Sequence, residues 1–200
     1  MDADAPDGDA RRVGPIDRTI VLVGLMGAGK TAVGRRLASR FDLPFVDADQ
    51  EIEAAAGCSI SDIFALHGEK AFRDGERRVI ARLLDDPPHV LATGGGAWMD
   101  AETRAKTARC GLSVWLRADF DVLLRRVARR NHRPLLNGKD HGEVLRRLQA
   151  ERYPVYALAD IVVDSDDSPL DVTVDRVVAA IERHLQRAMP APQSASQGVG

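Results

Sequence analysis

Gly24-Leu25-Met26-Gly27-Ala28-Gly29-Lys30-Thr31 decides the reading of this chain. The stretch satisfies G-x-x-x-x-G-K-[ST] at every fixed position. It lies between the apolar run Thr19-Ile20-Val21-Leu22-Val23 and an amphipathic segment over 32–41. Glycines let a chain wrap closely around an anion, so amide N–H groups converge on it at a helix N-terminus. Gly27, Ala28, Gly29, Lys30, Thr31 and Ala32 are therefore the expected phosphate cradle of a nucleoside triphosphate site. Lys30 adds a mobile positive charge there, and Thr31 offers its hydroxyl to Mg2+. The competing reading is a glycine-rich turn that contains a lysine by chance.

Outward from this loop the pattern alternates. Short apolar runs at 44–46, 89–92, 112–116 and 161–163 join 19–23 as five predicted strands. Helical patterning fills 32–41, 50–56, 59–66, 69–84, 101–108, 119–128, 143–159 and 170–187. The alternation predicts an α/β fold of three layers, a five-stranded parallel sheet covered by helices on both faces. In such folds ligands bind outside the carboxyl ends of the strands.

Two hundred residues suffice for one well-cored domain, and 44% hydrophobic with 29% charged residues is ordinary for a globular chain. A formal charge of −2 argues against non-specific nucleic-acid binding, which needs a broad positive field. Cys58 and Cys110 show no C-x-x-C spacing and read as reduced thiols, neither a disulfide nor a zinc site. Residues 1–14 have neither the basic nor the apolar region of a secretory signal. The expected division is a flexible extension over 1–17, a domain over 18–187 and a flexible tail over 188–200. No run approaches the roughly eighteen apolar residues of a membrane span, so a cytoplasmic location is expected. No internal repeat suggests a solenoid.

The second strand ends in Asp47-Ala48-Asp49. The strand over 90–93 runs into Gly94-Gly95-Gly96 without an acid, so a carboxylate to help hold Mg2+ must come from elsewhere. Asp47 is the economical candidate, leaving Asp49 as general base toward an acceptor hydroxyl. Asp49 could equally cap the helix beginning at Gln50. The glycine triplet implies either a tight turn or close approach of backbone to a ligand.

Several arginines are ambiguous in the same way. In Phe72-Arg73-Asp74-Gly75-Glu76, Arg73 either pairs with nearby acids on a solvated face or points into the cleft. Arg125, Arg126, Arg129, Arg130 and Arg133 crowd around a Gly- and Pro-containing stretch, 131–140, that reads as a mobile lid. Arg129 and Arg130 are expected to dock on acids. Arg133, beyond the helix and before a proline, is the candidate for phosphate. In Glu151-Arg152-Tyr153-Pro154-Val155-Tyr156 the proline should kink or interrupt the helix, and Arg152 suits either carboxylate capture or an ion pair.

Taken in order, these segments resemble the shikimate kinase family over about 19–187. The phosphate loop, the acids Asp47 and Asp49, the F-R-x-x-E segment, the glycine triplet, Arg133-Pro134-Leu135-Leu136 and the R-x-P-x-Y segment all have counterparts. The resemblance implies a monomeric enzyme that transfers the γ-phosphoryl of ATP to the 3-hydroxyl of shikimate, in the route to chorismate and the aromatic amino acids. It further implies Mg2+ at Thr31 and Asp47, and catalysis by Lys30, Asp49 and Arg133. Asp49, Arg73, Gly94, Gly95, Gly96 and Arg152 would bind shikimate, with Arg73 and Arg152 on its carboxylate. Many family members carry an arginine near the adenine where this chain has Asp164-Ser165-Asp166-Asp167-Ser168-Pro169, and leucine is common at Val155. The alternatives are a related kinase acting on gluconate or a nucleoside monophosphate, or a nucleotide-binding relative without turnover.

Overall fold

The computed structural model describes residues 16–129 and 141–188. The expected lid at 131–140, with Arg133 and its neighbour Arg130, and most of both tails lie outside the described residues.

The central strand β1 (Thr19–Val23) is buried at every residue. Successive side chains of a strand point to opposite faces, so a fully buried strand is covered on both. β1 pairs in parallel with β3 (Val90–Ala92) on one side and β4 (Gly111–Arg117) on the other. β2 (Phe45–Asp47) adds outside β3 and β5 (Ile161–Asp164) outside β4, completing a parallel five-stranded sheet in the order β2-β3-β1-β4-β5. Around it lie α1 (Lys30–Phe41), α2 (Ala48–Ala56), α3 (Ile60–Leu83), α4 (Ala101–Cys110), α5 (Phe120–Ala128), α6 (His141–Tyr156) and α7 (Leu170–Ala188). α1 packs against α7, α3 against α4, and α5 against α6. None of the described helices is long and apolar enough to cross a membrane.

The five-stranded parallel architecture agrees with the sequence expectation, while several boundaries differ for local reasons. α1 begins at Lys30, two residues before the expected start, because Gly29 in a left-handed conformation (φ 95°) delivers the chain directly into the helix. α2 begins at Ala48, and its N-cap is Asp47, whose side chain accepts from the Asp49 N–H at 3.1 Å. The capping role open to Asp49 therefore belongs to Asp47. The helices expected at 59–66 and 69–84 form one run, Ile60–Leu83, broken only at Gly68 (φ 77°, ψ 175°). Ser59 and Asp62 start it with a reciprocal capping box. α6 runs through Pro154 and ends at Tyr156, short of the expected 159. A 3-10 turn, Ala97–Met99, follows the glycine triplet and was not foreseen.

Two hydrophobic clusters hold these elements. The main core includes Ile20, Leu22, Leu37, Leu91, Leu116, Leu145 and Ile181. Ile52, Ile63 and Phe72 form a second, small one between α2 and α3.

Candidate functional site

The loop between β1 and α1 takes positive φ at Gly24 (151°), Gly27 (85°) and Gly29 (95°), conformations that side chains disfavour. Lys30 Nζ folds back over this loop and donates to Gly24 O at 2.7 Å and Leu25 O at 3.1 Å. Thr31 Oγ1 donates to Asp47 Oδ2 at 3.3 Å. A hydroxyl and a carboxylate side by side at a phosphate loop are hard oxygen donors suited to Mg2+ alongside phosphate oxygens. Lys30, Thr31, Asp47, Asp49, Gly94 and Gly95 all line one cleft of about 60 Å³.

Gly94-Gly95-Gly96 forms the floor between this cleft and the next. None of the three has positive φ, so their requirement is space rather than backbone conformation. A Cβ on Gly94 would lie 2.9 Å from Glu76 Oε1 and 3.0 Å from Asp49 Oδ1. One on Gly95 would lie 3.2 Å from Arg152 Nη1, and one on Gly96 only 2.3 Å from Arg73 Nη1. The triplet is both a turn, closed by Ala97 N–H donating to Gly94 O at 3.2 Å, and a surface against which charged side chains press. Asp49, Arg73 and Arg152 thus converge on one strip of backbone. Arg73, Glu76, Gly96 and Arg152 line a cavity of about 250 Å³ beside it.

Both readings of Arg73 hold together. Its Nη1 donates to Glu76 Oε2 at 2.7 Å and its Nη2 to Glu69 Oε1 at 3.3 Å, with the guanidinium still on the cavity wall. Glu76 is only 3% exposed. Burial pushes its carboxyl above the usual carboxylate range, against the pull of the Arg73 charge. For the less buried Arg73, burial is the largest single influence and works the other way, but the charges and hydrogen bonds of Glu76 and Glu69 together outweigh it, so the guanidinium is held more firmly protonated. Glu76 Oε1 and Arg152 Nε are buried without a hydrogen-bond partner in the protein. Both residues line the cavity and leave hydrogen-bonding capacity for a polar group bound there, water included. Tyr156, whose hydroxyl burial pushes up to about 12, remains a donor and bonds the Gly95 carbonyl.

Glu76 and Tyr156 lie within the F-R-x-x-E and R-x-P-x-Y segments, and the sequence alone assigns neither a role. The spacing of Arg73 and Glu76, three apart on a helix, was the available signal for Glu76. Nothing in the sequence tied Tyr156 to Gly95.

On the far side of the phosphate loop a cleft of about 330 Å³ is lined by Gly29, Val33, Arg126, Ser168, Leu170 and Thr173, among others. Arg129 lines it too, whereas Arg125 docks on an acid, Asp167. The acids at the end of β5 and just beyond it, Asp164, Asp166 and Asp167, are all paired with arginines. Asp164 accepts from Arg117 at 2.6 and 3.0 Å, and Asp166 from Arg176 at 2.8 Å. The Arg176 hydrogen bond holds Asp166 well below the usual carboxylate range.

Gly96→Ala tests the crowding at the triplet. The new methyl must displace the Arg73 guanidinium, the mobile end of a long side chain, so folding should survive while anion capture suffers. We expect an unchanged melting temperature and an acceptor KM raised by about tenfold or more, as for loss of one charge-assisted contact. A normal KM would show that Arg73 can move without consequence.

A phosphate loop at the carboxyl end of a parallel sheet, beside a carboxylate and a cavity lined by Arg73, Arg77 and Arg152, defines a P-loop phosphotransferase for a small anionic acceptor. The family model described as Shikimate kinase matches residues 26–182. A shikimate kinase of Paramagnetospirillum magneticum is 60% identical over 172 residues, 86% of this chain and 88% of its own length. The structure of a shikimate kinase from Acinetobacter baumannii in complex with shikimate superposes with a TM-score of 0.79. It has 35% identity and covers 86% of this chain and 96% of that one. A gluconokinase from Sinorhizobium meliloti 1021, at 18% identity and a TM-score of 0.60, covers 87% of this chain and 97% of its own and shares the fold alone. The chain belongs to the shikimate kinase family. It is a kinase that uses ATP to phosphorylate shikimate.

Proposed function

We propose the following division of labour in that reaction. Lys30 and the amides of Gly27, Gly29, Thr31 and Ala32 hold the phosphates of ATP, while Ala28, whose N–H donates to Leu25 O, shapes the loop around them; Thr31 with Asp47 would hold Mg2+, which would neutralise phosphate charge. Arg73 and Arg152 grip the carboxylate of shikimate against Gly95 and Gly96, with Gly94 beneath the ring. Asp49 accepts the proton of the 3-hydroxyl as its oxygen bonds to the γ-phosphorus and the bond to the β-phosphate bridging oxygen breaks. The products are shikimate 3-phosphate and ADP. Arg133, outside the described residues, is assigned to the phosphates by family resemblance. The enzyme acts as a cytoplasmic monomer over 18–187, without nucleic acid.

The observation that carries this reading is the glycine triplet, where Asp49, Arg152 and Arg73 press on three consecutive residues beside the phosphate loop. A base and a two-cation grip on one strip match an acceptor carrying a hydroxyl and a carboxylate on a small ring. A nucleoside monophosphate has no carboxylate for that grip; gluconate has one but no ring, and the gluconokinase likeness extends to the fold alone.

The test follows ADP release from ATP and Mg2+ with shikimate, gluconate or nucleoside monophosphates as acceptor. Release should depend on shikimate alone. Arg73→Ala and Arg152→Ala should each raise the shikimate KM by a factor equivalent to about 1.5–3 kcal/mol, with the ATP KM unchanged. Normal shikimate KM values in both variants would dispose of the carboxylate grip.

A further inference from the structure

Ser165 follows β5, is 2% exposed and has no part in the roles above. Its hydroxyl donates to Ala28 O at 2.9 Å and accepts from Arg126 Nη1 at 3.0 Å. Its own N–H donates to Arg117 O at 2.7 Å, anchoring it to the end of β4. Arg126, in the last turn of α5, donates from Nη1 to Gly27 O at 3.3 Å and from Nη2 to Asp166 O. Two successive carbonyls of the phosphate loop are therefore held from behind by side-chain donors.

The consequence lies in the peptide plane. In a trans peptide the C=O and the following N–H point in opposite directions, and the described chain has no cis bond. Holding Ala28 O against Ser165 turns the Gly29 N–H away from Ser165. Holding Gly27 O against Arg126 turns the Ala28 N–H the other way, where it donates to Leu25 O at 3.1 Å and closes the loop on itself. Glycines at Gly27 and Gly29 have many competing conformations, so the loop has little intrinsic preference for this one. A group that fixes its carbonyls lowers the ordering entropy that would otherwise oppose anion binding.

We propose that Ser165, together with Arg126, is a positioning residue that presets the phosphate loop for the polyphosphate of the nucleotide. This rests on reading Gly24 to Thr31 as the phosphate site. Both side chains border the cleft beside the loop. Ser165 is 2% exposed with its hydroxyl engaged by Ala28 O and Arg126, so it acts through the backbone of Ala28, whereas the longer Arg126 can reach a base bound in that cleft.

The two routes separate with a ligand that has no base. Titration calorimetry would compare Mg2+–ATP with Mg2+–tripolyphosphate on the wild-type protein and on Ser165→Ala, Ser165→Thr and Arg126→Ala, with steady-state kinetics alongside. Ser165→Ala should weaken both ligands by the same factor, on the order of tenfold, and leave the shikimate KM unchanged. Ser165→Thr, which keeps the hydroxyl, should recover most of the loss. Weakening confined to ATP, or none for either ligand, overturns the proposal. Should Ser165→Ala not fold by its melting curve, Arg126→Ala decides by the same criterion: loss of tripolyphosphate binding supports the brace, and loss of ATP binding alone refutes it. Wild-type protein that binds neither ligand, or Lys30→Ala that weakens neither, would instead remove the phosphate-site reading itself.

Discussion

Asp49→Asn should lower kcat by about 10²–10⁴ while leaving ATP affinity near that of the wild-type protein. Asp49 sits in the first turn of α2, where its N–H is tied to Asp47 Oδ1, so its backbone is fixed by the cap rather than by its own side chain. Asparagine preserves shape and volume there but loses the negative charge, and with it the capacity to take a proton, one acceptor oxygen becoming an NH2 donor. The carboxylate lies against Gly94, close to the cleft that also contains Lys30 and Thr31, so an acceptor hydroxyl at that point faces the phosphates. Because the loss falls on a group that acts in the transition state, it should appear in kcat more than in either KM. Near-normal turnover in the asparagine variant would remove Asp49 as the base. Asp47→Asn is the informative comparison, since asparagine still caps α2 with its amide oxygen while its lost charge should show as a stronger Mg2+ requirement.

Lys30→Met is expected to reduce kcat by on the order of 10²–10³, the scale for removing one preorganised donor from developing negative charge. The aliphatic stem is kept and the ammonium lost, so Gly24 O and Leu25 O lose their donor while the helix start at Gly29 is untouched. The melting temperature should fall modestly, because Gly24 and Leu25 are buried and their carbonyls lose the Lys30 donor. Lys30→Arg should not restore full turnover, since a planar guanidinium cannot replace a compact ammonium at two carbonyls and a phosphate. Full activity in Lys30→Met would mean that the loop binds nucleotide without using this charge.

The phosphate loop was legible because its requirements are local. A strand, two fixed glycines and a helix start follow one another along the chain, and the structure departs from the sequence reading only in starting α1 at Lys30. Thr31 and Asp47 each read as Mg2+ ligands from their residue types; their hydrogen bond is set by the tertiary structure, which brings the end of β2, two strands away from β1 in the sheet, beside the loop. By contrast, the cap of α2 was ambiguous between two acids separated by a single residue. Which one turns inward depends on φ and ψ at Asp47, extended at −106° and 115°, and residue type alone does not determine that.

Charged groups in helices were the least legible part. Arg73, Glu76, Arg126 and Arg152 all occupy segments whose sequence fits a solvated face. Ser165 carried no motif at all, yet it is buried behind the loop.

The sequence by itself determined the order of strands and helices, the phosphate loop and the identity of the acids near it, because these rest on hydrogen bonds and conformational preferences within a few residues. Only the tertiary structure decided that Asp49, Arg152 and Arg73 close on Gly94, Gly95 and Gly96, and that Ser165 and Arg126 hold Ala28 and Gly27. Those partners are remote in the chain, and the parallel register, with Asp47 opposite Ala92 and Arg117 opposite Asp164, brings them together. Pair energies depend on distance and burial, which no pattern along one chain contains.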